Sequence, residues 1–330
     1  MKENRSCAFK TSIGGQALIE GLMMRGPNDA ATAIRLPNGE IEVKHHEENR
    51  LQDRYAVAKW PFIRGVISFF ESLKFGYRYL DYSAEKSMED DGTVYEEEPS
   101  KLDQWMEAHL TEGVINALMI IAVILGVALA LVLFMWLPAF LVDMFDKYVT
   151  HDVLETHNLH PLFEGVLKII ILILYMAGVR RMNEIKRVFQ YHGAEHKTIA
   201  CYENGLELTV ENVRAQTRFH PRCGTSFTIV MLLISILFST ILVLLFPGIG
   251  TIRWLWVLVK ILIIPLIMGF GYEFIRYAGR HDNLLANILS KPGLWMQRIT
   301  TIEPEDSMIE CGIAAFLAVL PEDPETADIQ

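Results

Sequence analysis

Hydrophobic and polar positions are unevenly distributed along this chain. Residues 113–142 carry no charged side chain, and neither do residues 224–252. Each run exceeds the ~20 apolar residues needed to cross a hydrocarbon layer about 30 Å thick. Two weaker runs repeat the pattern: residues 166–179 are interrupted only by Lys168, and residues 254–272 only by Lys260. Both lysines sit near one end of their run, where the stem can carry the ammonium to the headgroups. The pattern predicts four transmembrane helices, the second short enough to tilt or re-enter.

The remaining sequence alternates more finely. Pro37-Asn38-Gly39 separates residues 32–36 from 40–44, a hairpin signal because Asn-Gly tolerates positive φ. Upstream, residues 14–27 are dense in Gly and Met. Their two polar members, Glu20 and Arg25, read either as a buried pair or as groups reaching a ligand. Residues 62–82 space apolar side chains three to four apart with basic ones between them. They predict an amphipathic helix that lies on the bilayer surface or packs on the protein's own core. The acidic stretch 87–99 reads as a solvated linker.

Between the second and third spans, Met182, Ile185, His192 and Ile199 keep a helical period, so the second span should continue as a helix into loop 180–223. Asn204-Gly205 supplies a stop, and residues 209–215 a short second helix. Past the fourth span, Glu273, Arg276 and Arg280 share a face. Pro304-Glu305-Asp306 opens a last helix running through Glu310 to Leu320.

The fold class is therefore a mainly α membrane protein, with four transmembrane helices and a cytoplasmic α+β portion. Its regions are a cytoplasmic N-terminal region (1–112), a four-helix membrane region that includes loop 180–223 (113–272), and a cytoplasmic helical region (273–330).

Charge sets the orientation. Residues 1–112 hold 14 Lys and Arg, loop 180–223 holds 8 and residues 273–330 hold 4, whereas the opposite side has only Lys147 and Arg253. The positive-inside bias puts both termini and loop 180–223 in the cytoplasm of a multi-pass cell-membrane protein, with the lipid bilayer as its constant partner. The formal net charge of -10 argues against nucleic acid. The N-terminal M-K-E-N-R-S-C-A-F-K lacks the apolar core of a signal peptide. Cys7, Cys201, Cys223 and Cys311 all fall on the reducing side, so disulfides are not expected, and no C-x-x-C pair is present.

The candidate chemistry lies in residues 191–197, Y-H-G-A-E-H-K. At about 100° per residue, His196 lies about 40° from His192 and Glu195 about 60° the other way, so all three share a helix face. The H-x-x-E-H spacing lets His192 and His196 grip one divalent metal, zinc above all, while Glu195 serves as catalytic base. A third donor must come from elsewhere. Glu203 lies about 16 Å further along the axis. His220 and Cys223 are the first candidates, then Glu273, His281 and Asp282, which emerge on the same face. The structural alternative makes His192 a hydrogen-bonded core histidine and pairs Glu195 with Arg214, Arg218 or Lys197.

Residues 222–226, R-C-G-T-S, read either as an anion site at a helix N-terminus or as ordinary capping by Thr225 or Ser226. On the far side, His151, His157 and His160 with Asp152 and Glu155 are either solvated or a second metal site.

Four segments carry a family resemblance: G-G-Q-A-L-I-E-G-L-M-M-R-G-P (14–27), Y-H-G-A-E-H-K (191–197), R-F-H-P-R-C-G-T-S-F (218–227) and P-G-L-W-M-Q-R-I-T-T-I-E-P (292–304). Together they resemble the YqhQ family of bacterial membrane proteins. The resemblance implies a multi-pass membrane protein, a metal-dependent enzyme, and the histidine motif as a family hallmark. It brings no substrate. The functional expectation is a metal-dependent hydrolase acting on a membrane-associated substrate at the cytoplasmic face. The alternative is a membrane scaffold or assembly factor whose cytoplasmic face binds a protein partner.

Overall fold

The computed structural model describes residues 10–27, 29–88, 112–151, 153–156, 159–246, 248–249, 253–281 and 283–321. Cys7, Asp152, His157, Asp282 and the acidic linker from residue 89 onward lie outside the described residues. The strands are β1 (Gly14–Leu18), β2 (Gly21–Arg25), β3 (Ala30–Arg35) and β4 (Ile41–His46). The α-helices of five residues or more are α1 (Ile63–Ser87), α2 (Glu112–Leu131), α3 (Leu137–Phe145), α4 (His160–Val179), α5 (Asn183–Glu203), α6 (Val210–Arg214), α7 (Gly224–Leu245), α8 (Arg253–Arg280), α9 (Leu284–Thr300) and α10 (Asp306–Val319). The chain divides into two compact units, residues 1–91 with 173–330, and residues 92–172.

In the first unit the four strands form an antiparallel meander in chain order. The expected hairpin is β3–β4, with Gly39 at φ 86° in its turn and Ala33 opposite Val43. β1 and β2 come from the Gly- and Met-rich segment, which the sequence pattern did not identify as strands. β2 is buried on both faces. Leu22 and Met24 pack with Tyr191 and Ile199 of α5 and with Ile309 and Phe316 of α10, whereas Met23 packs with Phe75 and Tyr79 of α1. The sheet is thus the middle of three layers, and a strand covered on both sides loses the in-out alternation that identifies one. Leu22→Ala in such a core costs about 2–5 kcal/mol.

Glu20 and Arg25 do not pair with each other. Glu20 sits in the β1–β2 turn at φ 49° and its carboxylate receives Arg187 of α5, while Arg25 pairs with Glu48 at 2.8 Å. Helix α10 begins just after Pro304-Glu305, as expected, and packs on the sheet and α5.

Among the described residues, four helical stretches are long and apolar enough to cross a membrane: Ile120–Thr150, His160–Val179, Thr228–Leu245 and Trp254–Ala278. The first contains π-helical turns at Val132–Trp136 and Asp146–Thr150 on either side of α3. Three details depart from the sequence reading. Lys168 does not extend freely, because its ammonium pairs with the buried carboxylate of Glu164 one turn earlier, at 2.8 Å. The second apolar helix does not run on into the histidine motif. It ends at Val179 in a tight turn, with Arg181 N–H donating to Gly178 O and Met182 extended at ψ 134° before α5 starts. Arg180 anchors that turn by donating to Arg298 O at 2.9 Å. Finally, α8 reaches Arg280 as expected, but α9 follows where the pattern marked no element.

The far-side histidines do not assemble a second metal site among the described residues. His160 is 2.7 Å from Asp143 and His151 is the exposed left-handed residue that ends its helix.

His46 closes the sheet edge. Its Nε2 lies 2.9 Å from Thr32 Oγ1 and its ring meets Tyr79 edge-on. Burial, reinforced by Arg78 and Lys44, lowers its pKa from 6.5 to about 4. The unfolded chain therefore takes up this proton first. The stability it contributes is full above pH 6.5 and is lost as pH falls toward about 4. Thermal unfolding in detergent, followed by tryptophan fluorescence at stepped pH, should show this loss, and His46→Gln should flatten it.

Candidate metal centre

Helix α5 is apolar toward the sheet and α10 and polar toward residues 218–223 and the end of α9. Tyr191, Ala194, Ile199 and Cys201 join the core. His192 and His196, one turn apart, leave the other side with ring centroids 4.4 Å apart. Each ring is oriented through its Nδ1. His192 Nδ1 lies 2.9 Å from Thr300 O, and His196 Nδ1 lies 2.6 Å from Arg218 O. A carbonyl only accepts, so both Nδ1 atoms carry the proton and both Nε2 atoms are left to face inward.

The third member is a sulfur. Cys223 Sγ is 3.1 Å from His192 Nε2, and ligand atoms of His192, His196 and Cys223 all lie within 4.8 Å of one another. Among the described residues this is the one His/Cys/Asp/Glu group close enough to hold an ion. His196 Nε2 is buried with no hydrogen-bond partner. A buried imidazole nitrogen in that state costs about 1–3 kcal/mol. A cation among the three donors would remove the cost, so the residues present fit a metal.

Cys223 is also the N-cap of α7. Thr225 N–H and Thr225 Oγ1 meet its sulfur at 3.4 and 3.1 Å. The expected roles are thus exchanged, because Thr225 donates to the cap instead of forming it. Burial alone would lift the Cys223 thiol, but the imidazoles of His192 and His196 overcome it and hold the thiol well below its ordinary value. Burial would likewise lower His192, but the Cys223 sulfur outweighs it and raises the imidazole to about 9. Without a metal, the two form a thiolate–imidazolium pair at the positive end of a 22-residue helix.

Glu195 turns toward the sheet. Its Oε1 accepts the Gly15 N–H at 3.0 Å, and a Cβ on Gly15 would come within 2.9 Å of its Cγ. Burial pushes this carboxyl up, while His192 and His196 pull it down. The sequence candidates for pairing with it are engaged elsewhere: Lys197 and Arg218 with Glu303 at 2.7 and 2.8 Å, and Arg214 with Asp306.

His220 sits beside His196, with ring centroids 5.5 Å apart, but outside the triangle. Its Nε2 is 3.2 Å from Arg222 Nη2 and 3.7 Å from Glu203 Oε2. Glu203 also accepts Thr11 N–H at 2.8 Å, which secures the end of α5. The His220 backbone is clamped by one side chain. Gln297 of α9 accepts from His220 N at 2.9 Å and donates to His220 O at 2.7 Å. The other suggested donors lie elsewhere: Glu273 pairs with Arg64 of α1, and His281 stacks on Tyr277.

Sequence reasoning missed Gly15, Thr300 and Gln297. The first two act through backbone atoms, which leave no residue-type signal. The third is an ordinary polar position on an amphipathic helix.

Comparison with known proteins adds a family without a chemistry. A family model described as "Protein of unknown function (DUF1385)" matches residues 60–322. The chain is 32% identical over 313 residues to "Uncharacterized protein YqhQ" of Bacillus subtilis (strain 168), covering 94% of this chain and 92% of that protein. No solved structure matches.

The centre depends on a close approach. A Cβ on Gly193 would lie 2.0 Å from Ile302 O. Gly193→Ala should therefore lower stability by about 1–3 kcal/mol through overpacking. Gly178, with nothing within 4 Å, is the control. Gly178→Ala should be neutral or stabilising, since alanine is favoured in a helix by about 1 kcal/mol. Paired melts of the two variants in detergent check this.

Proposed function

The chain belongs to the DUF1385 family, and on that premise we propose that it is a membrane metalloenzyme, a hydrolase acting on a membrane-associated substrate at the cytoplasmic face. Two lines support the membrane part. Four helical stretches are apolar and long enough to span, and in the 92–172 unit the first shows Val123, Ile124 and Leu125 at 66%, 61% and 62% exposure. A helix apolar on all sides is suited to lipid rather than water. The Lys and Arg asymmetry supports a cytoplasmic position for the histidine loop.

The observation that carries the metal reading is the orphaned Nε2 of His196, beside a second oriented Nε2 and a thiolate. Two imidazoles and one thiolate suit zinc, and three protein donors leave a fourth position, the pattern of catalytic rather than structural sites. When bound, such an ion acidifies water and polarises the bond under attack.

The chain's own residues do the rest. Thr300 O and Arg218 O hold the two rings in the tautomer that presents Nε2. The imidazoles of His192 and His196 hold the Cys223 thiol well below its ordinary value, which favours the thiolate. Glu195, its Oε1 fixed by Gly15 N–H, has its second carboxylate oxygen to accept and return a proton. Its burial raises the carboxyl above the ordinary carboxylate value, which makes it a stronger base. His220 is a positioning residue that ties Glu203 and α9 to the loop carrying Cys223.

Purified in detergent, the protein should contain about one divalent metal per chain by elemental analysis. Cobalt substitution should give thiolate-to-metal charge-transfer absorption. Cys223→Ser should abolish that band and His192→Ala should remove the metal. Glu195→Gln should keep both metal and fold, as expected for a base that is not a ligand. A metal-free protein, or metal content unchanged in His192→Ala, rejects the reading.

A further inference from the structure

Helix α1 has two apolar faces, and only one of them is used. Gly65, Phe75, Gly76, Tyr79 and Ser83 are buried against the sheet and α8. About two-fifths of a turn away, at about 100° per residue, a second stripe points outward. Ile63, Phe70, Leu73 and Tyr77 are exposed at 37%, 60%, 55% and 71%. Exposed Lys74 and Arg78 run along one border of this stripe. A soluble helix that already packs on its core shows a polar outer face, whereas from Ile63 to Tyr77 this stripe is apolar, and exposed Asp81 and Glu85 close it at the C-terminal end.

The start of α1 is fastened to a candidate membrane span. A Cβ on Gly65 would meet Gly269 Cα of α8 at 3.1 Å, the Phe62 ring lies 4.7 Å from Phe270, and Arg64 pairs with Glu273. The outer stripe therefore begins at the end of α8 where that helix still exposes Phe270 and Leu266. Helix α9, packed on α7 and α8, repeats the arrangement. Leu284, Ile288 and Trp295 are exposed at 77%, 51% and 59%, on one face with exposed Lys291.

We propose that the outer stripe of α1 is a bilayer-docking surface, lying in the interfacial layer of the leaflet where α7 begins and α8 ends, with anionic lipid headgroups on its Lys74 and Arg78 border. Aromatic and aliphatic side chains edged by basic ones match that layer, which is apolar below and negatively charged above. The surface continues the lipid-facing side of α8, so one bilayer covers both. This rests on the membrane reading given above, and the test separates the two.

The full chain, with Cys7→Ser, would carry one nitroxide at Leu73→Cys, Tyr77→Cys or, as reference, Leu262→Cys, which is 68% exposed on α8. It would be reconstituted in vesicles of phosphatidylcholine with phosphatidylglycerol. Relaxation by oxygen, which concentrates in lipid, is compared with relaxation by a water-soluble nickel chelate. All three sites should favour oxygen severalfold over the chelate. In vesicles containing a nitroxide-quenching phosphatidylglycerol probe, Lys74→Glu with Arg78→Glu should weaken contact at position 77 without moving position 262. If position 262 is in lipid while 73 and 77 meet the chelate, the docking surface is refuted and the membrane reading stands. If 73 and 77 are shielded from both reagents, a protein or a second copy covers the stripe and the proposal is equally refuted. Chelate access at all three sites refutes both.

Discussion

The passage of α5 against residues 300–304 is the contact on which the candidate centre depends. Gly193 has no side chain because Ile302 O occupies the place of one, and Ile302 N–H donates to Phe189 O at 2.9 Å. That approach brings Thr300 O to His192 Nδ1 and Glu303 to Lys197 and Arg218. One missing methyl thus determines which imidazole nitrogen carries a proton. The glycine weakens the helix locally, by about 1 kcal/mol relative to alanine. Near neighbours along α5, Tyr191, Ala194 and Ile199, are buried in the core and offset that weakness.

The legible parts of the fold were those whose physics is local. An uncharged run of 30 residues has few destinations, and Asn-Gly between alternating residues makes a hairpin wherever it occurs. The parts that escaped depend on what lies above and below. β2 reads as Gly-Leu-Met-Met-Arg, which alternates in nothing, because α1 covers one side and α5 with α10 the other. The turn at 180–182 was invisible for a similar reason. The helical period of α5 continues that of α4, and only the extended Met182 and the anchor from Arg180 to Arg298 O reveal the break. Helix α9 contains Pro292 and Gly293, which in sequence read as an interruption of any helix rather than its middle.

The candidate centre divides along the same line. The spacing of His192 and His196 on one helix face could be computed from the sequence. That Cys223 would approach them depends on the loop between α6 and α7 folding back. The sequence could name the sulfur only as one of two nearby donors. Its companion His220 instead faces Glu203 and Arg222, because α5 is long enough to bring a carboxylate from its last turn beside that ring. The oriented carbonyls could not be read at all, since every residue has one.

The Gln297 clamp makes one side chain answerable for the position of a sulfur it does not touch. A primary amide both gives and takes a hydrogen bond, and here one side chain does both with the two ends of a single residue, His220. Replacing that amide by a carboxylate would set a negative charge against a carbonyl oxygen, turning an attraction into a repulsion in a buried place. The sulfur three residues along would lose its support with no chemical damage of its own. The hold on the Cys223 loop thus rests on an amide that takes no direct part in the candidate centre.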